Sequence, residues 1–279
     1  MGEEIQDVEP QKTIPAKRDL LQSAVLIWAV TPLLVWGAWY PPLHAATLGL
    51  ALTPWMTPVL VSLGFAALVW LLRAATLPAA AIGFLICMIL AQHRGLPALI
   101  TLFLLTFLAT RFGRSRKESR KLAERRSCRR ASQIVANLGT AAICASLGWY
   151  PGCIAALAEA AADTVSSEVG QALGGQAWLI TTGRRVRSGT DGGISVAGTA
   201  AGVVAAALVV AAGAMHHALR QDGPVVFAAA CAGLLFDSVL GATVERRGWL
   251  GNDLVNFGST VFAALLALGW LLLRGRLAF

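Results

Sequence analysis

Long apolar stretches recur along this chain, and short polar segments separate them. Leu20–Trp39, Met56–Leu72, Leu77–Leu90, Val203–Met215 and Leu254–Leu273 carry almost no charge. Several approach or exceed the roughly 20 residues that a helix needs to cross a bilayer. The pattern predicts an all-α, polytopic helical membrane protein of about nine transmembrane helices. The expected spans lie near 20–39, 56–72, 77–91, 97–110, 131–148, 152–170, 192–213, 224–242 and 254–273. The segment 43–54 is short and carries Pro and Thr, so it reads either as interfacial or as a tenth, partial span. Leu20–Trp39 is too long for a signal-peptide core and lacks a small-residue cleavage site, which makes it a first span.

Composition supports this reading. The chain is 56% hydrophobic and only 14% charged, and a soluble domain of this length carries more charge. The net charge of +8 is concentrated. Residues 111–130 hold ten Lys/Arg and two Glu. Such a loop is expected on the cytoplasmic side, where it can also meet anionic lipid. With 111–130 inside and nine spans, the N terminus is inside as well. Only Arg94, Arg220, Arg274 and Arg276 then fall outside. The expected organisation is a polar tail over 1–19, scaffold helices over 20–110, the basic loop over 111–130 and a catalytic half over 131–279. The expected location is a bacterial inner membrane. Nucleic acid is not an expected partner, because no soluble domain stands behind the basic patch. Cys87, Cys128, Cys144, Cys153 and Cys231 are scattered and imply neither disulfides nor a metal site.

The chemistry comes from acids in the second half. Glu159 and Asp163 stand one helical turn apart, and Glu168, Asp237 and Asp253 interrupt later apolar segments. A carboxylate in or beside a bilayer needs a cation, water or a partner. Glu159, Asp163, Ser166 and Gly170 share one helical stripe by their spacing. Glu168 points about 140° away from Asp163 on an ideal helix. Either the helix breaks near Ser166–Ser167, or Glu168 serves a neighbouring helix. Carboxylates one turn apart suit Mg²⁺, which prefers oxygen ligands and keeps waters or phosphates as the rest.

Other polar groups point to phosphate. Thr181-Thr-Gly-Arg-Arg-Val-Arg-Ser-Gly-Thr-Asp-Gly-Gly-Ile-Ser195 combines Arg184, Arg185, hydroxyls at Ser188 and Thr190, and glycines ahead of a helix start. Gly-rich backbone and helix N-termini favour anions, although the Walker A order is absent. Asn252 or Asp253 is expected to cap the last helix. Asn137 and Asn256 place amides inside apolar helices, where they either hydrogen-bond between helices or reach a ligand. Metal-binding acids and phosphate-binding cations at one membrane face suit phosphoryl or nucleotidyl transfer.

These motifs together resemble a membrane family first known only as a domain of unknown function. That family includes plant phytyl-phosphate kinase and animal transmembrane protein nineteen. The resemblance is carried by 110–117, Val135-Ala-Asn-Leu-Gly139, Ala162-Asp-Thr-Val-Ser-Ser-Glu-Val-Gly170, 179–183, 189–195, Asp237-Ser-Val-Leu-Gly-Ala-Thr243 and Asn252-Asp-Leu-Val-Asn-Phe-Gly-Ser-Thr260. It implies a kinase that converts a polyprenyl monophosphate to the diphosphate with a nucleoside triphosphate, CTP among the candidates. Val165 stands where the family often has an aromatic, and Arg fills the loop where it often has Lys and Pro.

In this reading Asp163, Asp237 and Glu168 are catalytic acids. Glu159, Asp163, Glu168, Asp237 and Asp253 are metal ligands. Lys117, Arg184, Arg185, Ser188, Thr190, Asn137, Asn252 and Asn256 contact phosphate or metal. Mg²⁺ is the expected cofactor, the nucleotide is co-substrate, and the prenyl chain lies among membrane lipids. An ion-coupled transporter and a lipid-phosphate nucleotidyltransferase are the alternatives.

Overall fold

A computed structural model describes residues 13–119, 128–174, 176–215, 219 and 221–275, with the side chains of 115–119 outside the described residues. Among the described residues the chain forms nine α-helices: α1 (Ala16–Thr47), α2 (Thr53–Leu71), α3 (Leu77–Gln92), α4 (Leu96–Ser119), α5 (Ala131–Ser146), α6 (Tyr150–Leu173), α7 (Val196–Gly213), α8 (Gly223–Leu240) and α9 (Asn252–Leu273). Six segments are long and apolar enough to cross a membrane, within α1, α2, α4, α7, α8 with the turn after it, and α9. The shorter α3 is also apolar.

Two expectations about the first half change. The helix begins at Ala16, so residues 16–19 belong to α1 and not to a tail, while 1–12 lie outside the described residues. The segment 43–54 is no tenth span. α1 continues through Pro41 and Pro42 to Thr47, and a short turn leads into α2. Proline removes one backbone donor, a loss that membrane helices tolerate.

α6 is the centre of the bundle. It packs against α4, α5, α7, α8 and α9. From Gly152 to Ala162 every residue is buried. A helix apolar on all sides is covered on all sides, and a run of alanines lets the neighbours approach closely. Pro151 opens the helix, and Gly174 closes it at φ 56°, the left-handed conformation that favours glycine. The closest approach is to α7. A Cβ on Gly198 would stand 2.7 Å from the Ser166 carbonyl, and one on Gly202 would stand 2.7 Å from the Ala162 carbonyl.

Between α6 and α7 the chain forms a small antiparallel sheet ordered β2-β1-β3, from β1 (Ala177–Leu179), β2 (Arg185–Val186) and β3 (Gly193–Ile194). Trp178 pairs with Arg185 on one side and with Ile194 on the other. The expected phosphate loop is therefore a folded hairpin with a returning strand. Strands of two and three residues, set between turns rich in Gly, Arg and Thr, carry no periodicity to read.

Several connections meet at one end of the bundle. The main chain of Arg129 bonds the α2–α3 turn, donating to Ala74 O at 2.9 Å and accepting from Thr76 N at 3.1 Å. Gln22 of α1 donates to Trp249 O at 2.8 Å and accepts from Gly251 N at 2.8 Å. Gly192, at φ 71°, lies directly on the backbone of Ala242. At the other end the Tyr150 hydroxyl donates to Gly213 O at 3.0 Å and Arg94 O at 3.3 Å.

Candidate functional site

The three acids at the heart of the sequence reading come together on two helices. Glu159 and Asp163 lie on the α6 face toward α8 and α9, and Asp237 approaches them from α8. Ser259 of α9 stands beside Glu159 and Asp237, and its hydroxyl donates to Asn256 O at 3.0 Å. Glu159 is 1% exposed. Its space exists because α8 carries Gly233 opposite, where a Cβ would stand 2.6 Å from Glu159 Cγ. Asp163 and Asp237 are half-buried, one helical turn nearer the end where the loops meet. Glu159 Oε1 and Asp237 Oδ2 are buried atoms without a hydrogen-bond partner. An unsatisfied buried carboxylate oxygen is costly, so each of these atoms is a position that could accept from a donor or hold a cation.

Glu168 leaves this group. α6 runs unbroken past Ser166 and Ser167 to Leu173, so there is no helix break. A Cβ on Gly113 of α4 would stand 3.4 Å from Glu168 Oε2, which places Glu168 against α4. Of the two readings of its off-stripe position, service to a neighbouring helix holds.

Asp253 is also held elsewhere. It is 5% exposed, and the Ser23 hydroxyl of α1 donates to its Oδ2 at 2.9 Å. The cap of α9 is Gly251, not Asn252 or Asp253. The reason is that Asp253 turns to α1 while Gln22 takes the Gly251 N–H. Asn252 is exposed. α1 thus contributes Gln22 and Ser23 to the site end, although residues 20–110 read as scaffold in the sequence. Ser23→Ala leaves the buried Asp253 carboxylate one donor short. It is expected to cost about 1–3 kcal/mol, measured as a lower thermal midpoint in detergent, with Ser23→Thr retaining most of it.

Asn137 and Asn256 meet across α5 and α9, with Asn256 Nδ2 donating to Asn137 Oδ1 at 3.4 Å. Asn137 also donates to Gln133 O at 2.8 Å. One turn further, Thr140 and Thr260 share a hydrogen bond at 2.9 Å. This is an interhelical polar seam, the first of the two roles open for these amides.

The hairpin residues have local duties. Ser188 donates to Gly170 O at 3.2 Å and ties the hairpin to α6. Thr190 closes the turn on Arg187 O at 2.7 Å. Arg184 is exposed in the turn and Arg185 lies on β2. Lys117 falls near the end of α4, with its side chain outside the described residues. A cavity of about 220 Å³ opens beside the hairpin, between Gly170, Leu173, Trp178, Ser195 and Val196.

Two acids outside the assigned site residues, Glu245 and Asp191, also approach the site. α8 passes into a π-turn over Gly241–Glu245, with Arg246 N donating to Gly241 O at 3.2 Å. The wider turn brings Glu245 into electrostatic range of Asp163, Asp191 and Asp19. Asp191, from the loop docked on that turn, is likewise in range of Asp237. π-Turns frequently accompany functional sites. Glu245 stands beside Arg246 and Arg247 in sequence, so it reads there as an interfacial ion pair. Among the described residues no group of three or more His, Cys, Asp or Glu stands close enough to hold a metal ion alone. The acids are gathered but not closed on one another.

The family resemblance can now be decided. The family described as Integral membrane protein DUF92 matches residues 60–264, most of the chain and all three inner acids. The chain belongs to the DUF92 integral membrane family. It is similar to the uncharacterized membrane protein sll0875 of Synechocystis, at 35% identity over 63% of this chain and 73% of that protein. It is similar to the uncharacterized membrane protein MJ0933 of Methanocaldococcus jannaschii, at 35% identity over 60% of this chain and 72% of that protein. A 28% identity to Protein VTE6, chloroplastic, of Arabidopsis thaliana covers 60% of this chain and 55% of that protein. No solved structure matches. This DUF92 protein is a multi-pass integral membrane protein.

Proposed function

We propose that this DUF92 protein is a membrane kinase that transfers a phosphoryl group from a nucleoside triphosphate to a polyprenyl monophosphate. The observation that carries the reading is the group of Glu159, Asp163 and Asp237, with Glu159 buried and the two Asp half-buried. Of its unpartnered oxygens, that of Asp237 lies near the end of α8 that leads to the hairpin-docked turn, and that of Glu159 lies deeper, near the middle of α6. The family that the motifs resemble, which includes plant phytyl-phosphate kinase, and the similarity to Protein VTE6 support the substrate class.

The nine helices are read as nine crossings, with the site end cytoplasmic by the placement of Lys and Arg. The donor set fits Mg²⁺, an ion that takes one or two carboxylates and completes its shell with water and phosphate. Asp163 and Asp237 would hold it, with Glu159 behind them. Bound there, the ion would neutralise charge on the phosphates.

The chain's own groups do the rest. An acceptor monophosphate is largely ionised at pH 7, since its second pKa is about 6, so no general base is needed. Its oxygen attacks the terminal phosphorus of the nucleotide. A new P–O bond forms, the bond to the bridging oxygen breaks, and the nucleoside diphosphate leaves with that electron pair. The α6–α8–α9 helices keep the acids fixed and bulk water away.

The test incubates the purified protein with Mg²⁺, a panel of nucleoside triphosphates, and phytyl or geranylgeranyl phosphate. Lipid diphosphate and nucleoside diphosphate are expected. A CDP-lipid with released pyrophosphate would indicate the nucleotidyltransferase. The depth of Glu159 favours ion-coupled transport as the second reading. Unchanged lipid with ion flux in liposomes would support it and remove the kinase.

A further inference from the structure

The cavity between the hairpin and the start of α7 takes no part in the acid group, and its walls point to one kind of ligand. Its volume is about 220 Å³, and Leu173, Trp178, Val196 and Ala197 line it together with Gly170 and Ser195. The polar atoms in that wall are already engaged. The Ser195 hydroxyl accepts from Gly198 N at 3.1 Å. The Gly170 carbonyl accepts from the Ser188 hydroxyl at 3.2 Å and from Gly174 N at 3.1 Å. Apart from the exposed Gln176, what remains for a ligand is mainly apolar surface. Pockets that enclose a whole small molecule measure about 300–1,000 Å³. This smaller one suits a short hydrocarbon segment whose remainder lies outside.

The way out leads toward the bilayer. Leu173 and Val196 are exposed at the cavity. Val196, Ala200, Val204 and Leu208 recur four residues apart along α7, and all are exposed. They form one stripe on a helix long and apolar enough to cross a membrane. A chain that starts in the cavity can continue along that stripe among the lipids.

A cation stands beside the same wall. Trp178 of β1 pairs directly with Arg185 of the antiparallel β2. Residues opposed in this way project from one face of the sheet, with Cβ atoms about 4.5–5.5 Å apart. The Arg185 side chain thus springs from beside the residue that walls the cavity, and no polar spacer separates charge from hydrocarbon surface. That arrangement matches a lipid whose hydrocarbon begins at the phosphate ester oxygen, as in a prenyl phosphate. In a glycerophospholipid the ester-bearing glycerol separates the phosphate from both chains. The cavity also lies within reach of the acids. Gly170 shares the α6 stripe of Asp163, about 10 Å further along the helix axis.

We propose that this cavity seats the first isoprene units of the polyprenyl phosphate, with Arg185 beside the phosphate they carry. The inference rests on the kinase reading for the identity of that lipid, but not for the occupation of the cavity.

The test uses purified full-length protein in detergent and a geranylgeranyl phosphate with a diazirine in its first isoprene unit. Illumination is expected to label Leu173, Trp178, Val196 or Ala197, read by mass spectrometry. Excess unmodified geranylgeranyl phosphate should suppress the label. Ala197→Phe fills the cavity from an exposed position, and the clash is expected to weaken binding of geranylgeranyl phosphate about tenfold or more. Val204→Phe adds a ring two turns along the same stripe and is expected to change binding less than twofold. An unchanged thermal midpoint checks the fold of each variant, and labelling of wild type needs no variant.

The proposal is overturned if wild type binds no prenyl phosphate, if the label lands elsewhere, or if Ala197→Phe binds within twofold of wild type. It is overturned equally if a diazirine-bearing phosphatidylglycerol labels the cavity and geranylgeranyl phosphate does not displace it, since the cavity then belongs to bilayer lipid. Cavity labelling and weakened binding in Ala197→Phe, without formation of a lipid diphosphate, would refute the kinase and leave this assignment standing. Diphosphate formation with the same KM in wild type and Ala197→Phe would do the reverse.

Discussion

Asp163→Asn is expected to reduce phosphoryl transfer by on the order of a thousandfold, with the protein still folded in the membrane. The substitution keeps the shape of the side chain and removes one negative charge from among Glu159, Asp237 and Glu245. Taking a charge out of a group of like charges relieves repulsion. The thermal midpoint without Mg²⁺ should therefore hold or rise. Any rise in midpoint that wild type shows on adding Mg²⁺ should shrink, because a ligand that binds the folded state stabilises it by mass action. Turnover, and thermal shifts with and without Mg²⁺, check the two halves of the prediction separately. Near-normal turnover would remove Asp163 from the site.

The largest effect on stability is expected from Gly202→Val. A Cβ there would stand 2.7 Å from the Ala162 carbonyl, 3.0 Å from Ser166 Cβ and 3.2 Å from Leu234 Cδ2. The nearest obstacle is backbone of the central helix and cannot swing aside. α7 must move away from α6, at a cost of about 3 kcal/mol. The expected result is a thermal midpoint lower by about 5 °C or more, with much less folded protein recovered from membranes. Gly64→Ala in α2 is the contrasting case, since a Cβ there meets nothing within 4 Å. It should be neutral or add about 0.5–1 kcal/mol. Equal losses in the two variants would mean that the α6–α7 contact is not what limits stability.

The helices were legible because bilayer-length apolar runs are a strong signal, and each of the nine expected spans falls on one of the nine helices. Boundaries failed where a helix outruns its apolar core. Ala16–Asp19 and Leu43–Thr47 are polar or broken by proline nearby, yet they continue α1. Within the site, the i, i+4 pair of Glu159 and Asp163 could be read from spacing, since both lie on one helix. Partners from other helices could not be ranked by spacing. Asp237 joins the pair, whereas Asp253, as prominent in sequence, turns to Ser23. Glu245 and Asp191 could be placed at the same membrane face but not assigned to the site, for a different reason. Their placement depends on a π-turn and on a glycine seated against it, and neither leaves a periodic trace.

The join between α1 and α9 has a practical consequence for anyone handling the protein. Gln22 and Ser23 sit two turns or less from Ala16, so whatever is fused ahead of α1 emerges at the rim of the acids. On the kinase proposal, a bulky affinity or fluorescent tag in that position would crowd the end of the bundle at which the charged ligand is expected. α9 starts at the same rim and runs through the bundle to Leu273 at the far side. A tag attached after it leaves the mouth open.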